Sequence, residues 1–143
     1  MASATRITPV LTVSNAARAI EFYARAFGAR EVHRNAYPDG RIVVEMAIAG
    51  ARFRVADESP EAENLSPETL RGTSVRINLF VPDPDAVAAR AMEAGAIEVA
   101  PIADQDYGLR QGRIADPFGH HWLIGRPLPG GGGAWARDPP TAS

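Results

Sequence analysis

Leu11-Thr12-Val13-Ser14-Asn15 opens a helical pattern that closes at Gly28-Ala29-Arg30-Glu31-Val32, and Leu79-Phe80-Val81-Pro82-Asp83 opens a second that closes at Gly95-Ala96-Ile97-Glu98-Val99. Each stretch reads strand, cap, helix, glycine exit, strand, and the two lie about half a chain apart. A single match of this kind is weak evidence. Matching strand ends, caps, helix lengths and Gly-Ala exits together make an internal repeat.

Working outward from the first copy, residues 7–13 form an extended β-branched run. Ser14 or Asn15 can cap the helix that follows, because a short side-chain oxygen accepts from the free N–H groups of its first turn. Ile20, Tyr23, Ala24 and Phe27 fall at i, i+3, i+4 and i+7 and predict one apolar stripe. Gly28 stands where a left-handed exit residue belongs. Strand signals follow at residues 31–37, 42–49 and 51–56, with Pro38-Asp39-Gly40 as a turn. Residues 57–73 are polar and read as the connection. The second copy predicts strands at residues 75–81, 97–102, 112–115 and 120–124 around a helix at 84–94. Asp116-Pro117-Phe118-Gly119 is its last hairpin turn, and residues 103–111 are expected to form a polar lid loop. The tail 126–143 is rich in proline and glycine and is expected to be mobile unless Trp135 docks.

The chain has 143 residues, of which 45% are hydrophobic and 22% charged. These values suit one globular domain, expected at residues 1–125 with modules at about 5–57 and 74–125. No cysteine is present, so disulfides and thiolate metal sites are excluded. A net charge of −2 without a basic run speaks against nucleic acid as partner. No apolar stretch approaches the roughly 20 residues that span a bilayer, and the N-terminus lacks a signal-peptide core. Cytoplasmic residence without a membrane partner is the expectation.

Three stretches carry a family resemblance: residues 8–13 leading into Ile20-Glu21-Phe22-Tyr23 and Ala26-Phe27-Gly28-Ala29; Ala94-Gly95-Ala96; and residues 104–110 leading into Ala115-Asp116-Pro117-Phe118-Gly119-His120-His121-Trp122. Together they resemble the vicinal-oxygen-chelate superfamily of glyoxalases, bleomycin-resistance proteins and dioxygenases, over roughly residues 5–125. The last stretch is most similar to the PhnB-like branch. The resemblance implies an α+β fold. Two βαβββ modules form curved mixed sheets with helices packed outside, each sheet enclosing a pocket that a second subunit often completes. A homodimer is expected on the same ground. The motifs do not select an activity, because the superfamily holds isomerases, dioxygenases, thiol transferases and drug binders without catalysis.

The superfamily's enzymes hold a divalent metal with His, Glu or Gln, one from the first and one from the last strand of each repeat. Carried onto this sequence, those positions are Thr8, Arg54, Arg76 and Leu123. None is a metal ligand, and two are guanidiniums, which stay protonated and repel a cation. A shift of one residue would substitute Pro9, Phe53 or Val55, Ile77, and Trp122 or Ile124. No metal and no other cofactor is therefore expected.

Strand alternation gives the pocket side instead. It carries Thr8 on the first strand, Arg52 and Arg54 on the strand closing the first copy, Arg76, Asn78 and Phe80 on the strand opening the second, and His121 and Leu123 on the last. The arginines can clamp an anion bidentately, or else form a solvated, salt-bridged surface. Asn78 and Thr8 can orient a polar ligand. Phe80, Tyr107 and Tyr37 can stack on a flat one. Arg110 joins the candidates from the lid. No nucleophile–base pair has workable spacing, so no catalytic residue is assigned.

The expected function is metal-independent binding that sequesters a planar aromatic natural product or antibiotic, neutral or anionic. The chain is expected to bind rather than to turn over its ligand. The alternatives are a lyase, isomerase or dioxygenase of the same superfamily, either metal-dependent or using His121 or Asp104, and an accessory subunit that binds another chain.

Overall fold

The computed structural model describes residues 4–130. The chain divides between Thr73 and Ser74 into two units, each built as a βαβββ module. In the first, β1 (Val10–Val13) leads into α1 (Ala16–Phe27), and β2 (Arg30–Ala36), β3 (Ile42–Ile48) and β4 (Ala51–Asp57) follow. The sheet order is β1-β4-β3-β2, with β1 and β4 parallel and the other pairs antiparallel. A 3₁₀ turn (Pro60–Ala62) and a one-turn helix, α2 (Pro67–Leu70), lie within the polar connection. In the second unit, β5 (Arg76–Phe80) and α3 (Pro84–Glu93) precede β6 (Ile97–Asp104), β7 (Leu109–Ala115) and β8 (His121–Pro127). Its order, β5-β8-β7-β6, repeats the first with the parallel pair again at one edge.

The repeat in the sequence is thus a repeat in the fold, and the local chemistry explains it. Asn15, rather than Ser14, caps α1 and accepts from the Arg18 N–H. Ser14 instead donates to Glu68 at 2.9 Å. Gly28 ends the helix at φ 67°, a left-handed conformation that costs a residue with a Cβ about 1 kcal/mol. Asp83 caps α3 through the Ala86 N–H, with Pro84 in the first turn, where its missing N–H costs nothing.

Each helix covers one face of its sheet. The buried face of α1 is Ala16, Ala19, Phe22, Tyr23, Ala26 and Phe27, a stripe rotated from the expected one, with Ile20 and Ala24 at its half-buried margin. The buried face sets three aromatic rings beside three alanines. Tyr23 is fully buried. It stacks on Phe27 at 6.2 Å between ring centroids and meets Phe22 and Phe53 edge-on at 5.4 Å each. In the second unit the covered face holds Leu79, Ile114, Trp122 and Ile124.

Four expectations about the elements are corrected. The first strand begins at Val10, not residue 7, because Pro9 has no N–H to give the ladder; its carbonyl still accepts from the Arg54 N–H at 2.8 Å. Thr8 therefore precedes the strand. The polar connection holds α2, which Ser66 caps by accepting from the Thr69 N–H. Residues 103–111 are not a lid. β6 continues through Asp104 and β7 starts at Leu109, joined by a tight turn in which the Gln105 N–H donates to the Leu109 carbonyl. Of the polar residues there, Asp104, Arg110 and Gln111 belong to the strands, and Gln105 and Asp106 to the turn. Finally, β8 runs on to Pro127 and the Leu128 N–H bonds to Gly108, so the domain extends past residue 125. Residues 131–143, with Trp135, lie outside the described residues.

Candidate functional site

The ladder register places the pocket-side residues of the second unit in rows across the sheet. Arg76 on β5 pairs with His121 on β8, which pairs with Ala115 on β7. The next row on the same face is Asn78, Leu123 and Arg113, and the one after is Phe80, Gly125 and Gln111. Pro127 and Leu109 extend the face beyond Gly125 and Gln111. The alternate residues Leu79, Ile114, Trp122 and Ile124 are buried on the other side.

At the Phe80 end of this face lies a cavity of about 300 Å³ lined by Asn78, Phe80, Tyr107, Leu109, Gln111 and Leu123. The structure brings four sequence candidates together here: Asn78, Phe80, Tyr107 and Leu123. Phe80 and Tyr107 stay 46% and 42% exposed, which is high for aromatic side chains in a folded unit. Gln111 is only 6% exposed. The Tyr107 hydroxyl donates to Gln111 Oε1 at 2.6 Å, and Gln111 Nε2 donates to Asn78 Oδ1 at 3.2 Å. Gln105 Nε2 donates to the Gln111 backbone carbonyl at 2.9 Å and ties the turn to the strand.

Leu109, Gln111 and Arg113 were not legible as site residues. Their signal was the alternation along residues 109–115, hidden because the polar run before it read as a loop. Arg113 Nε donates to His121 Nδ1 at 2.8 Å, so the neutral imidazole carries its proton on Nε2. Burial and then the Arg113 charge hold the His121 pKa below its ordinary value, with a smaller opposing pull from Asp116. The folded state therefore binds a proton here less readily than the unfolded chain. This contribution to stability is complete at pH above the ordinary imidazole value of about 6.5 and is lost as pH falls through and below it. Thermal melting from pH 8 to 5 should show the loss, and His121→Gln should flatten that part of the profile. An identical profile for the variant would refute the assignment.

The other candidates are placed elsewhere or already engaged. Arg110 points to the helix-covered side of β7. It binds both Asp85 carboxylate oxygens at 2.8 Å and Asp104 at 2.9 Å, and these two acids raise its pKa. Arg110 is thus a strut between β7, α3 and β6, and the cavity lies on the opposite face. In the first unit, Arg52 reaches Glu45 at 3.2 Å and Arg54 reaches it at 4.0 Å. Glu45, on β3, answers the arginines with an acid that strand reading alone did not pair with them. Tyr37 follows β2, with the Arg41 guanidinium 5.5 Å from its ring centre. Thr8 is half-buried ahead of β1.

A family model for the glyoxalase-like domain matches residues 9–124, nearly the whole of both modules. The chain belongs to the glyoxalase-like domain family. An uncharacterized protein of Mycobacterium bovis is 42% identical to it over 126 residues, covering 85% of this chain and 83% of that one. Among solved structures, TioX from Micromonospora sp. ML1 is 26% identical with a TM-score of 0.67, covering 87% of this chain and all of that one (100%). The fosfomycin resistance protein FosX from Listeria monocytogenes, solved with Mn(II) and sulfate, shares the fold at a TM-score of 0.63, with 16% identity over 87% of this chain and 93% of that one.

Glyoxalase-fold enzymes imply a metal, and the residues present do not fit one. Arg54 lies opposite Val10 at one parallel ladder and Arg76 opposite His121 at the other, so two of the four positions carry fixed positive charge. Among the described residues, no three His, Asp or Glu side chains gather in a metal-holding cluster. What this glyoxalase-like domain offers instead is an aromatic and aliphatic cavity with a hydrogen-bonded amide pair, and cationic side chains on the same sheet face.

Proposed function

We propose that this glyoxalase-like domain binds, without a metal, a planar aromatic small molecule, neutral or carrying an acidic group, and sequesters it in the manner of a drug-resistance protein. The observation that supports it most is the cavity of about 300 Å³ walled by Phe80, Tyr107, Leu109 and Leu123, with polar contacts confined to Asn78 and Gln111. Such a lining gains from burying a flat apolar surface and has few groups able to do chemistry on it. Arg76 and Arg113 stand in the rows next to the cavity on the same face, so an acid on the ligand has guanidiniums within the span of the sheet. The sharing of this fold with fosfomycin resistance proteins agrees with a resistance role. We also carry forward a homodimer from the family, which a sedimentation measurement decides.

A melting screen of the purified chain, treated with EDTA, against planar aromatic acids and antibiotics tests the reading. A ligand at a hundredfold its Kd adds about 2.7 kcal/mol to the native state and raises Tm by several degrees. Phe80→Ala should weaken such binding by about tenfold or more, since it removes one aromatic wall while leaving an exposed position that folding does not need. Binding that appears only after adding a divalent ion, or that ignores Phe80→Ala, would overturn the proposal.

A further inference from the structure

Resting on the cavity reading above, we infer that the cavity selects its ligand by hydrogen-bond polarity. It takes planar aromatics that present a neutral acceptor at their edge (a carbonyl or a ring nitrogen) to the Asn78 amide, any acidic group facing the Arg76 and Arg113 guanidiniums on the same sheet face, and Tyr107 sets that polarity through Gln111.

The inference follows the protons along the chain. The Tyr107–Gln111 contact of 2.6 Å is the length of an O–H···O bond and is short for an amide N–H on a phenol oxygen. The phenol therefore donates, and Gln111 presents its carbonyl to it. Gln111 then has its NH₂ end toward Asn78, at 3.2 Å from Oδ1. Asn78 accepts with its oxygen, which turns its own NH₂ to what remains: the cavity it lines. Among the described residues nothing else bonds to that NH₂. Three side chains from β5, β7 and the β6–β7 turn thus fix one another, and reversing one amide would set donor against donor or acceptor against acceptor. Near-complete burial of Gln111 makes such a mismatch costly, because water cannot repair it.

Gly125 supplies the room. It lies opposite Gln111, and a Cβ there would come within 3.0 Å of Gln111 Cβ and 3.2 Å of its Cγ. The glutamine side chain can lie in the cavity floor because its cross-strand neighbour has no side chain. A ligand edge that only donates, or that is purely apolar, would bury the Asn78 NH₂ unpaired.

The test uses two soluble isosteres, 9-oxofluorene-2-carboxylate and fluorene-2-carboxylate, which differ in one carbonyl. Calorimetric titration of the wild-type chain should give about a tenfold preference for the ketone, the worth of one net hydrogen bond. Asn78→Asp, which offers only acceptors, should reverse the preference, and Asn78→Leu should bring the ratio of the two probes to about one. Any effect of the added charge on the carboxylate is common to both probes and cancels in the ratio. Tyr107→Phe keeps the aromatic wall and frees Gln111 to turn, so the ratio between the two probes should shrink toward one. This ratio would not move if Tyr107 merely filled space. Equal wild-type binding of the two probes overturns the polarity inference alone. Binding of neither overturns the cavity reading and this inference with it.

Discussion

Asp116→Ala should destabilise the chain by about 3–5 kcal/mol, the largest single-residue loss expected outside the aromatic core. Asp116 closes β7 into β8 and is only 4% exposed. Its Oδ1 accepts from the backbone N–H groups of Phe118, at 2.9 Å, and His120, at 3.0 Å, and its Oδ2 accepts from Trp122 Nε1 at 3.0 Å. One carboxylate thus satisfies two donors of the hairpin turn and the polar edge of a tryptophan that is otherwise fully buried. Alanine removes the acceptor of all three bonds, and each hydrogen bond lost at a buried or part-buried donor costs about 1–3 kcal/mol before any relaxation. Asn is the informative control. Its oxygen can serve the turn, but its NH₂ then meets the Trp122 N–H, donor to donor, so Asp116→Asn should recover part of the loss and not all of it. Urea titration followed by tryptophan emission reads both variants. An Asn variant as stable as wild type would show that the indole bond contributes nothing.

Gly125→Ala should cost about 2–3 kcal/mol and remove ligand selectivity together. An added Cβ would stand 2.7 Å from the Arg110 carbonyl oxygen, closer than real Cβ contacts come, and against the Gln111 side chain on the same strand. Either β7 shifts away from β8 or Gln111 leaves the cavity floor. The first strains the ladder that holds Leu109, Gln111 and Arg113 on one face. The second breaks the link between Tyr107 and Asn78. A melting curve together with the two-probe titration distinguishes these routes. An unchanged melting point with unchanged selectivity would mean that the two strands do not approach so closely at this residue.

How far the sequence reaches can be judged from particular residues. The cap at Asn15 or Ser14, the exit at Gly28 and the Pro84 start of α3 were legible because each acts on the backbone within a few residues of itself. The faces of β4, β5 and β8 were legible because Phe53, Val55, Leu79, Trp122 and Ile124 fall at the two-residue period of a strand, which puts Arg52, Arg54, Asn78, Phe80, His121 and Leu123 on the opposite face. That alternation was enough to nominate Asn78, Phe80 and Leu123, which the structure then gathers with Tyr107 around one cavity.

Other parts were not legible for a common reason. The polar run Asp104-Gln105-Asp106 looks the same in a long loop as at a strand end with a tight turn, so the hairpin between β6 and β7 is not legible, nor are Leu109 and Gln111 with it. Arg110 is a ligand candidate by sequence, and its partners, Asp85 and Asp104, come from a helix and a neighbouring strand. Arg52 and Arg54 likewise meet Glu45 across a ladder.

The sequence by itself determined that this protein is two βαβββ modules, which strand faces turn away from the helices, and that guanidiniums stand where the family would place metal ligands. The modules and faces depend on periodicity and capping, which act locally, and the guanidinium positions on the motifs' resemblance to the family. Only the tertiary structure decided that Gln111 lies opposite a glycine, that it links Tyr107 to Asn78, and which arginines are already paired. Those depend on strand register and on partners brought in from other strands, a turn and a helix, which the packing of the sheet selects.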